Sequence, residues 1–479
     1  MTNWTQIGKD LDVSVEVRHS LFARFIATHC AGHLRYVEGL GWYRWNGRIW
    51  EPTGDDGAAY QAISDAAEIL IQRMRDSADD RGWAGTAVSK MLVHSHRYAI
   101  VTEMSKLREF RSTVDDFDAA RHMLTFQNGT VDLRSGELKP HDPADMQTLS
   151  ARVDYVPDAE CPRWLQFVAE VFPGDVDLQR YYQTWLGLCV SGEAPHVLGV
   201  WYGEKGRNGK GTTIRTMQAA FGGDLILNVP FDFFKKGKYG PHGEEIADLR
   251  SARMVVVDEG ESGTAVDVTR LKSYSGGDRI TARKLRQSTF RFEPKFTIVM
   301  TTNELPEFAA GGAALWARTK AILFGQSFAD VRDRELEPTI QGPESEGVAA
   351  WVVRGAMRYY AEGLTDPLSV ELATNFHREQ VDPLKPLIGE LFDFDDDAPP
   401  ITRSAFNAAL KRWRDVNGDQ SAKFKPASVH KELERRGVKA IKRQGTFVIP
   451  GLCMFMDEQG PISVRDASGN IGIFNPDTD

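Results

Sequence analysis

Through the middle of the chain, short aliphatic runs alternate with amphipathic stretches. Strands are predicted at 196–202, 253–257, 296–302 and 320–324, because each run is continuously apolar and bounded by glycine or polar residues. A helix is predicted at 212–221, ended by two glycines. Strands that alternate with helices predict a mostly parallel sheet, and therefore an α/β core.

The segments before this core have a mixed pattern. Residues 41–50 predict a hairpin, since Asn46-Gly47 favours a type I′ turn, and its three tryptophans either cover a small sheet or stack on bases. Residues 58–111 follow helical periodicity, interrupted at Gly82 and Gly85. Short strands are predicted within 128–141 and helices within 161–190. The N-terminal region is therefore predicted to be α+β.

The segments after the core are helical and then basic. Helices are predicted at 348–364 and 371–382, and the acidic, proline-containing stretch at 392–400 predicts a linker. Two amphipathic helices (404–416 and 426–436) then precede strands at 438–441 and 446–449. That order, with its basic excess, predicts a DNA-binding winged helix. A solvated basic helical cap is the alternative.

The turn between the first predicted strand and its helix has the composition of a nucleotide phosphate cradle. Glycines let backbone N–H groups approach the β- and γ-phosphates, the helix N-terminus adds positive potential, and Lys210 neutralises phosphate oxygens. The candidate ATP-binding residues are Gly206, Asn208, Gly209, Lys210, Gly211, Thr212 and Thr213.

Two positions depart from the usual P-loop pattern. The first glycine, Gly203, is one residue too early, and Gly211 replaces the Ser or Thr that normally binds magnesium, which makes Thr212 the candidate metal ligand. A glycine-rich turn that binds nothing is the alternative for this motif taken alone.

The second strand ends in two carboxylates. Asp258 is placed to hold Mg²⁺, and Glu259 to orient and deprotonate the attacking water. Glu261 competes for the role of base, and an ordinary acidic turn is the alternative. A strand of this kind about fifty residues beyond the P-loop favours the catalytic interpretation.

Two further polar residues complete the candidate catalytic set. Asn303 ends the third strand, where its amide could sense the γ-phosphate, although Asn before Glu-Leu-Pro is also a turn pattern. Arg318 follows a short helical run and is the candidate arginine finger, a role that depends on the surrounding pattern because such arginines are often simply solvated.

A basic hairpin is predicted between Asp258 and Asn303. Apolar positions alternate on both sides of 284–288, and residues 270–295 carry eight basic residues against Asp278 and Glu293. Such an excess suits phosphate contacts, although charge also protects sheet edges. The basic residues are Arg270, Lys272, Arg279, Arg283, Lys284, Arg286, Arg291 and Lys295. Of these, Lys272, Arg283, Lys284 and Arg286 are the candidate DNA-binding residues.

In their order, these motifs resemble the superfamily III helicases, and in particular the phage and plasmid primase–helicases that are related to the poxvirus primase–helicase. The stretches 128–143 and 155–164 and Trp185-Leu-Gly187 are similar to the region before the ATPase in those proteins. The resemblance implies a AAA+-like P-loop NTPase core at 161–385 with Mg²⁺ and ATP as cofactors. It also implies an N-terminal α+β domain at 1–160, a linker at 386–400 and a winged-helix-like domain at 401–479.

The resemblance further implies an activity and partners. It predicts a hexameric ring that translocates single-stranded and fork DNA, typically 3′ to 5′, with Arg318 acting on the neighbouring subunit's ATP and Lys284 lining the channel. A primase or replication-initiation factor is an expected partner in phage, prophage or plasmid replication.

Composition is compatible with this picture and constrains the setting. The net charge of −9 over 479 residues does not suit a protein that coats duplex DNA, but it allows a locally basic channel. Four scattered cysteines predict neither a zinc site nor disulfides. Because no signal peptide or membrane span is evident, a cytoplasmic protein of a bacterial host is expected.

Two alternatives differ in class. Asp116-Phe-Asp118 could hold the catalytic metal of a primase, but the region before the core is short for a polymerase fold, and 115–118 is predicted to be an exposed acidic run. A replication-initiation protein that binds ATP only to assemble is the other alternative. Glu259 and Arg318 argue against it, because an assembly switch needs neither a base nor a finger.

Overall fold

The computed structural model describes residues 15–76, 81–193, 196–237, 240–258, 266–285, 288–306, 308, 312–331, 333–419, 421–457, 463–465 and 471–473. The chain divides into two compact units. The first contains Met1–Glu304 and Arg318–Glu371, and the second contains Leu305–Ala317 and Leu372–Asp479. Within the described ranges, no helix is both long and apolar enough to cross a membrane.

The first unit begins with a small sheet surrounded by helices. Its elements are α1 (Val15–Cys30), β1 (Leu34–Val37), β2 (Gly41–Trp45), β3 (Trp50–Pro52), α2 (Gly57–Asp76), α3 (Arg81–Leu92), α4 (His94–Met104) and β4 (Arg111–Ser112). The sheet has the order β3-β2-β1-β4, and a core of its own lies between the sheet and the helices. The predicted interruption of the helical region is confirmed, but it lies before the glycines: α2 ends at Asp76 and α3 begins at Arg81, so Gly82 and Gly85 lie inside α3.

The tryptophan hairpin is confirmed, but its turn differs from the prediction. Trp45 pairs with Trp50, which leaves a four-residue loop at 46–49 in place of a two-residue type I′ turn. The Asn46 side chain accepts from the backbone N–H groups of Arg48 and Ile49 (both 2.9 Å) and so stabilises the longer loop. Trp42 and Trp50 are buried. These two rings therefore pack the small sheet and leave no face for a base.

A short meander leads into the central sheet. It comprises β5 (Met123–Thr125), β6 (Thr130–Asp132) and β7 (Glu137–Lys139), followed by α5 (Pro162–Val171) and α6 (Val176–Ser191). Leu124, Phe126 and Val131 share one hydrophobic core with the central sheet. Packing thus continues across residue 160, where the sequence analysis places a domain boundary.

The central sheet is five-stranded and entirely parallel. The elements of this region are β8 (Leu198–Tyr202), α7 (Lys210–Phe221), β9 (Ile226–Val229), α8 (Gly243–Asp248), β10 (Met254–Val257), α9 (Val268–Tyr274), β11 (Ile280–Arg283), β12 (Thr289–Phe292), β13 (Thr297–Thr302), α10 (Gly312–Trp316), β14 (Thr319–Leu323), α11 (Leu336–Gln341) and α12 (Ser345–Glu362). The strand order in the sheet is β14-β8-β13-β10-β9, so β8, which precedes the predicted P-loop, lies between β14 and β13. The predicted α/β core is confirmed in element order and in sheet type.

A buried arginine fastens the meander to this sheet. Arg253 directly precedes β10, and its guanidinium donates to the carbonyls of Arg121 (2.9 Å) and Ser191 (2.8 Å). Gly192 has a φ of +72°, and a Cβ there would lie 1.8 Å from the guanidinium. Only glycine therefore fits beside this anchor. The anchor stabilises the amino edge of the sheet, the end opposite the P-loop.

The second unit is a small α/β assembly. Besides α10 and most of α13 (Leu368–Gln380), it contains β15 (Phe392–Phe394), β16 (Ile401–Thr402), α14 (Arg403–Val416), α15 (Pro426–Arg435), β17 (Ile441–Arg443), β18 (Thr446–Ile449), β19 (Leu452–Met454), β20 (Ser463–Arg465) and β21 (Ile471–Ile473). The predicted order of two helices followed by two strands is confirmed, although the first of these strands, β17, begins at Ile441, where the predicted strand ends. In the stretch 386–400, predicted as a linker, Leu387, Leu391 and Phe392 are buried in this unit's core, and β15 pairs with β19.

Candidate nucleotide-binding site

The turn between β8 and α7 has the geometry of a phosphate cradle. Gly209, the residue before α7, has a φ of +99°, a conformation that favours glycine. The buried Asn208 amide donates to the Lys205 carbonyl (2.9 Å) and holds the loop closed. Since Gly209 has no side chain to cap the helix, the first N–H groups of α7 remain available to an anion. A Cβ on Gly206 would meet nothing within 4 Å, which leaves open space over the loop.

Lys210 and Asn303 lie side by side. The ammonium of Lys210 is buried and donates to the Thr302 carbonyl and to Asn303 Oδ1, the latter at 3.2 Å. Thr302, the last residue of β13, pairs with Tyr202, the last residue of β8, so the two strands end side by side. The residues that follow the two strands therefore lie close together. Two residues predicted from separate motifs are therefore brought together at the carboxyl edge of the sheet.

Asp258 follows β10 at the same edge, beyond β13. Its backbone N–H donates to Val229 O of β9 (3.0 Å), which fixes the strand end. The side chain is exposed, yet partial burial raises the pKa of its carboxyl above the ordinary value. A carboxylate whose charged form is destabilised in this way gains from a nearby cation. Glu259 and Glu261 lie outside the described residues, so both remain predictions.

The hydroxyls of the two predicted threonines already have partners within the chain. Thr212 Oγ1 donates to Glu337 Oε1 (3.0 Å), while Thr213 Oγ1 donates to the Gly209 carbonyl (3.2 Å) and accepts from Tyr182 Oη (3.0 Å). The role of Thr212 as a magnesium ligand stays a prediction. For that role, the Thr212 hydroxyl would have to give up its hydrogen bond to Glu337 and bind the metal instead. Gly211 offers no side-chain oxygen. Of the described residues predicted to bind metal, Asp258 therefore fits the hard cation best, with phosphate oxygens and water completing its shell.

Two supporting residues were missed by the sequence analysis. Glu337, on α11, also forms an ion pair with Arg215 of α7, and that arginine lowers the pKa of the Glu337 carboxyl. Tyr182, on α6, is buried and bonds Thr213. A lone acidic residue 127 positions after Lys210 and a tyrosine in an apolar helix carry no motif, so no sequence pattern could have identified them.

Arg318 lies at the opposite end of the sheet. It directly precedes β14, which runs parallel to β8, and its carbonyl accepts from the backbone N–H of Leu198, the first residue of β8 (2.9 Å). A five-residue strand spans about 16 Å, so Arg318 and Lys210 are separated by the whole depth of the sheet. The Arg318 guanidinium donates to the Lys272 carbonyl on α9 (3.0 Å). The structure thus brings Arg318 and Lys272 together at the amino edge, away from Lys210.

The basic hairpin is confirmed. β11 and β12 pair antiparallel from Ile280–Phe292 to Arg283–Thr289, which leaves 284–288 as the tip. Ile280 and Phe292 are buried while Arg283 is exposed, as the alternating pattern predicts. Lys284 is half-buried at the tip, and Arg286 lies outside the described residues.

Several basic residues of this region have structural partners. Arg279 pairs with Asp115 (2.7 Å), and Arg270 donates to the Phe233 carbonyl (2.6 Å). Lys295 donates to the carbonyls of Phe117 (2.7 Å) and Asp118 (2.8 Å), and burial lowers the pKa of its ammonium to about 8. The predicted count of eight basic residues therefore overstates the charge available to DNA, and the predicted DNA-binding residues near the tip remain its best candidates.

The acidic residues proposed for a primase centre serve the fold. Asp116 accepts from the Thr113 backbone N–H (2.6 Å). Asp118 is buried and accepts from the backbone N–H (2.8 Å) and hydroxyl (2.6 Å) of Thr148. The prediction that 115–118 is an exposed run is thus wrong for Asp118, since a long-range partner draws it inward. Neither geometry favours a shared metal.

Two family models match the chain. Residues 23–173 match the model described as "D5 N terminal like", and residues 201–314 match a family of unknown function, DUF5906. The first match covers the N-terminal sheet, the meander and α5. The second covers the P-loop, Asp258, the basic hairpin and Asn303.

The chain is also similar to two viral proteins. "Putative helicase L207/L206" of Acanthamoeba polyphaga mimivirus is 24% identical over 361 residues, which are 69% of this chain and 37% of that protein. "Putative helicase 022R" of Frog virus 3 (isolate Goorha) is 27% identical over 169 residues, 34% of this chain and 17% of that protein. The chain thus spans about a third of the length of the first relative and less than a fifth of the second.

Among solved structures, the apo C-terminal region of NrS-1 aligns with 63% of this chain and 78% of its own, with a TM-score of 0.40 and 11% identity. The matched N-terminal model and the two viral relatives together support a relationship between this chain and the D5-like primase–helicases.

Proposed function

We propose that this chain is a Mg²⁺- and ATP-dependent DNA helicase of the superfamily III type, with a AAA+-like core and a winged-helix-like C-terminal domain. The observation that carries the proposal is the division of candidate residues between the two edges of one parallel sheet. Lys210, Asn303 and Asp258 lie at the carboxyl edge, while Arg318 lies at the amino edge.

The carboxyl edge suits ATP and Mg²⁺. Lys210 and the uncapped first turn of α7 would bind the β- and γ-phosphates, because both present positive potential to the open space over Gly206. Asp258 would hold the metal through its water shell, and the bound metal supplies charge neutralisation on the phosphates. Asn303, already bonded to Lys210, would position the attacking water or contact the γ-phosphate. Glu259 is the proposed base.

The amino edge suits a contribution in trans. Arg318 lies a full strand length from Lys210 and therefore cannot reach the nucleotide of its own subunit. An arginine finger supplied by the neighbouring subunit resolves this separation, since it would insert into the next carboxyl edge and stabilise transition-state charge. A head-to-tail contact of this kind closes into a ring, for which we propose six subunits.

The proposed substrate is single-stranded DNA at a fork. In a ring, the tips of the β11–β12 hairpins would line the channel, with Arg283, Lys284 and Arg286 tracking phosphates. The proposed polarity is 3′ to 5′. We further propose a cytoplasmic role in phage, prophage or plasmid replication within a bacterial host, beside a primase or initiation factor.

The test measures ATP turnover with and without single-stranded DNA for the intact protein, Lys210→Ala and Arg318→Ala. Each variant alone should lose DNA-stimulated turnover. A mixture of the two should recover part of it, because some interfaces then combine an intact Lys210 with an intact Arg318. Lys236→Ala, which removes an exposed lysine of the same unit, is the matched control and should behave as the intact protein.

Absence of turnover in the intact protein, despite binding of ATP and DNA, would contradict the motor. That result would favour a replication-initiation protein whose nucleotide only controls assembly. Turnover without recovery in the mixture would instead retain the ATPase and reject the finger in trans.

A further inference from the structure

The hairpin that follows α15 in the second unit is largely exposed. We call β17, β18 and the turn between them the wing. Arg443 pairs with Thr446, so the turn has only two residues, Gln444 and Gly445. Their φ values are +46° and +86°, as a type I′ turn requires. This tight turn gives the wing a defined and rigid tip.

The wing exposes an aromatic ring. All three residues of β17 are exposed, and in β18 only Ile449, at the base beside Ile401, is buried. Phe447 is 48% exposed. Thr446, the preceding residue and the first of β18, is also exposed. Neither face of the wing tip is therefore covered by the unit to which it belongs.

The wing is also cationic. Residues 437–450 contain Lys439, Lys442 and Arg443 and no acidic residue. The preceding helix α15 is balanced, since Lys431 and Arg435 are offset by two glutamates, and Arg435 pairs with Glu432 (2.9 Å). A polyanion would thus meet the wing more favourably than the helix.

The strand register places the ring beside a cation. Lys442 is the cross-strand partner of Phe447, and directly opposed residues share one face of the hairpin. An aromatic ring next to an ammonium on one face of the hairpin matches the repeat of an unpaired nucleic acid strand, in which a flat base alternates with a phosphate. In a duplex the base faces are already stacked, so this match favours unpaired nucleotides.

We propose that the wing binds unpaired nucleotides of DNA, with Phe447 stacking on a base and Lys442, on the same face, contacting a phosphate. This contact is separate from the nucleotide site and from the β11–β12 hairpin. It rests on the proposed function only in taking nucleic acid as the substrate. It gives the second unit a preference for single strands that recognition of duplex shape would not give.

The test measures, without ATP, the affinity of the full-length protein for labelled oligo(dT) and for a blunt duplex of equal length across a salt series. Phe447→Ala should weaken oligo(dT) binding about tenfold, as loss of one stacked base predicts, and duplex binding less than twofold. Phe447→Trp should retain binding. The salt dependence should be unchanged in both variants because stacking is not ionic, whereas Lys442→Ala should reduce the salt slope by about one.

Val416→Ala removes a 60% exposed apolar side chain from α14 and is the matched control, expected to bind as the intact protein. Unchanged oligo(dT) affinity in Phe447→Ala, equal losses for both DNAs, or no DNA binding by the intact protein would each overturn the proposal. A changed sedimentation mass with unchanged affinity would assign Phe447 to a contact between copies and would also overturn it.

Because ATP is omitted, the two proposals can fail independently. Loss of oligo(dT) binding in Phe447→Ala, combined with no turnover in the intact protein, would reject the motor and keep the wing. DNA-stimulated turnover with an unaffected Phe447→Ala would reject the wing and keep the motor.

Discussion

The two edges of the central sheet differ in how their polar residues are organised. At the carboxyl edge, Lys210 and Asn303 bond one another beside an open space, and Asp258 follows one strand further. At the amino edge, Arg318 bonds the Lys272 carbonyl, and the buried Arg253 is fully engaged with carbonyls of the fold. One edge resembles a binding site, whereas at the other edge the guanidinium groups of Arg318 and Arg253 donate to backbone carbonyls.

Under the proposed function, one chain would carry two halves of an ATPase site, one at each edge of its sheet. The carboxyl edge has charge for phosphates but, among the described residues, no arginine assigned to transition-state charge. The amino edge has that arginine but no cradle. In the proposed ring, a second copy in head-to-tail orientation would join the halves, so we expect substitutions at the two edges to have different effects on binding and on turnover.

The largest expected effect is a difference between substitutions at the two edges in how they change ATP binding and ATP turnover. Lys210→Ala should abolish both, because the lysine contacts phosphate in the ground state as well as in the transition state. Arg318→Ala should retain ATP affinity while DNA-stimulated turnover falls about a thousandfold or more, as loss of an arginine finger predicts. Nucleotide binding by fluorescence and steady-state turnover measure the two quantities.

One result would contradict this difference between Lys210 and Arg318. If Arg318→Ala weakened ATP binding as strongly as Lys210→Ala, the two residues would act on one ground-state complex, and the division between edges would have no functional meaning. The Arg318–Lys272 bond would then be structural only.

Within the carboxyl edge, Asn303 should affect chemistry more than affinity. Asn303→Ala should lower turnover about a hundredfold, since an amide placed at developing charge contributes mainly in the transition state. Its Kd for ATP should change less than threefold. Asn228→Ala, at an exposed position on β9 of the same sheet, is the control and should leave both quantities intact. A raised Kd with unchanged turnover would show that Asn303 only orients Lys210.

The succession of motifs along the sequence made the candidate residues of the carboxyl edge predictable. Lys210, Asp258 and Asn303 each follow an apolar strand, and parallel strands bring their carboxyl ends to one edge. The order of the five strands could not be predicted from sequence, because no local sequence pattern specifies that β13 lies between β8 and β10. Glu337 was missed for a related reason: its partners Thr212 and Arg215 are more than 120 positions away.

Long-range partners also explain the errors about charge. Arg279 and Lys295 look available to DNA in sequence, yet Asp115 and the carbonyls of Phe117 and Asp118 engage them from the N-terminal region. The hairpin itself was predictable because its alternation is local. The number of its cations that are engaged by other parts of the fold could not be predicted, because such pairing depends on tertiary contacts.

A smaller effect should follow from loosening the first turn of α7. Glu337→Ala removes the acceptor of Thr212 and the ion-pair partner of Arg215, so turnover should fall about tenfold, in line with the loss of a charge-assisted hydrogen bond. Glu337→Gln keeps an acceptor for Thr212 and should lose less. If turnover rises in Glu337→Ala, the freed Thr212 hydroxyl is the magnesium ligand predicted from sequence. A magnesium titration of turnover distinguishes the two outcomes.

The smallest effect concerns the segment that joins the edges. Residues 304–317 connect Asn303 to Arg318, and within the second unit Pro306, Phe308 and Trp316 of this segment contact His377 on α13. The buried His377 ring donates from Nε2 to the Pro306 carbonyl (3.1 Å) and packs on Phe308 and Trp316, with ring centroids 5.1 and 5.0 Å away. Burial lowers the pKa of His377 to about 4. The connection thus depends on a neutral imidazole.

The sign of the resulting pH dependence follows from proton uptake. The unfolded chain binds a proton at His377 below about pH 6.5, whereas the folded chain does not until about pH 4, so stability falls as pH falls through this window. Between pH 7 and pH 5.5 the loss should be about 1 kcal/mol. His377→Gln has no titrating group, and its urea midpoint should fall less over the same range. Parallel pH profiles for the two proteins would show that His377 does not control this anchor, and that the connection between the edges is insensitive to its charge.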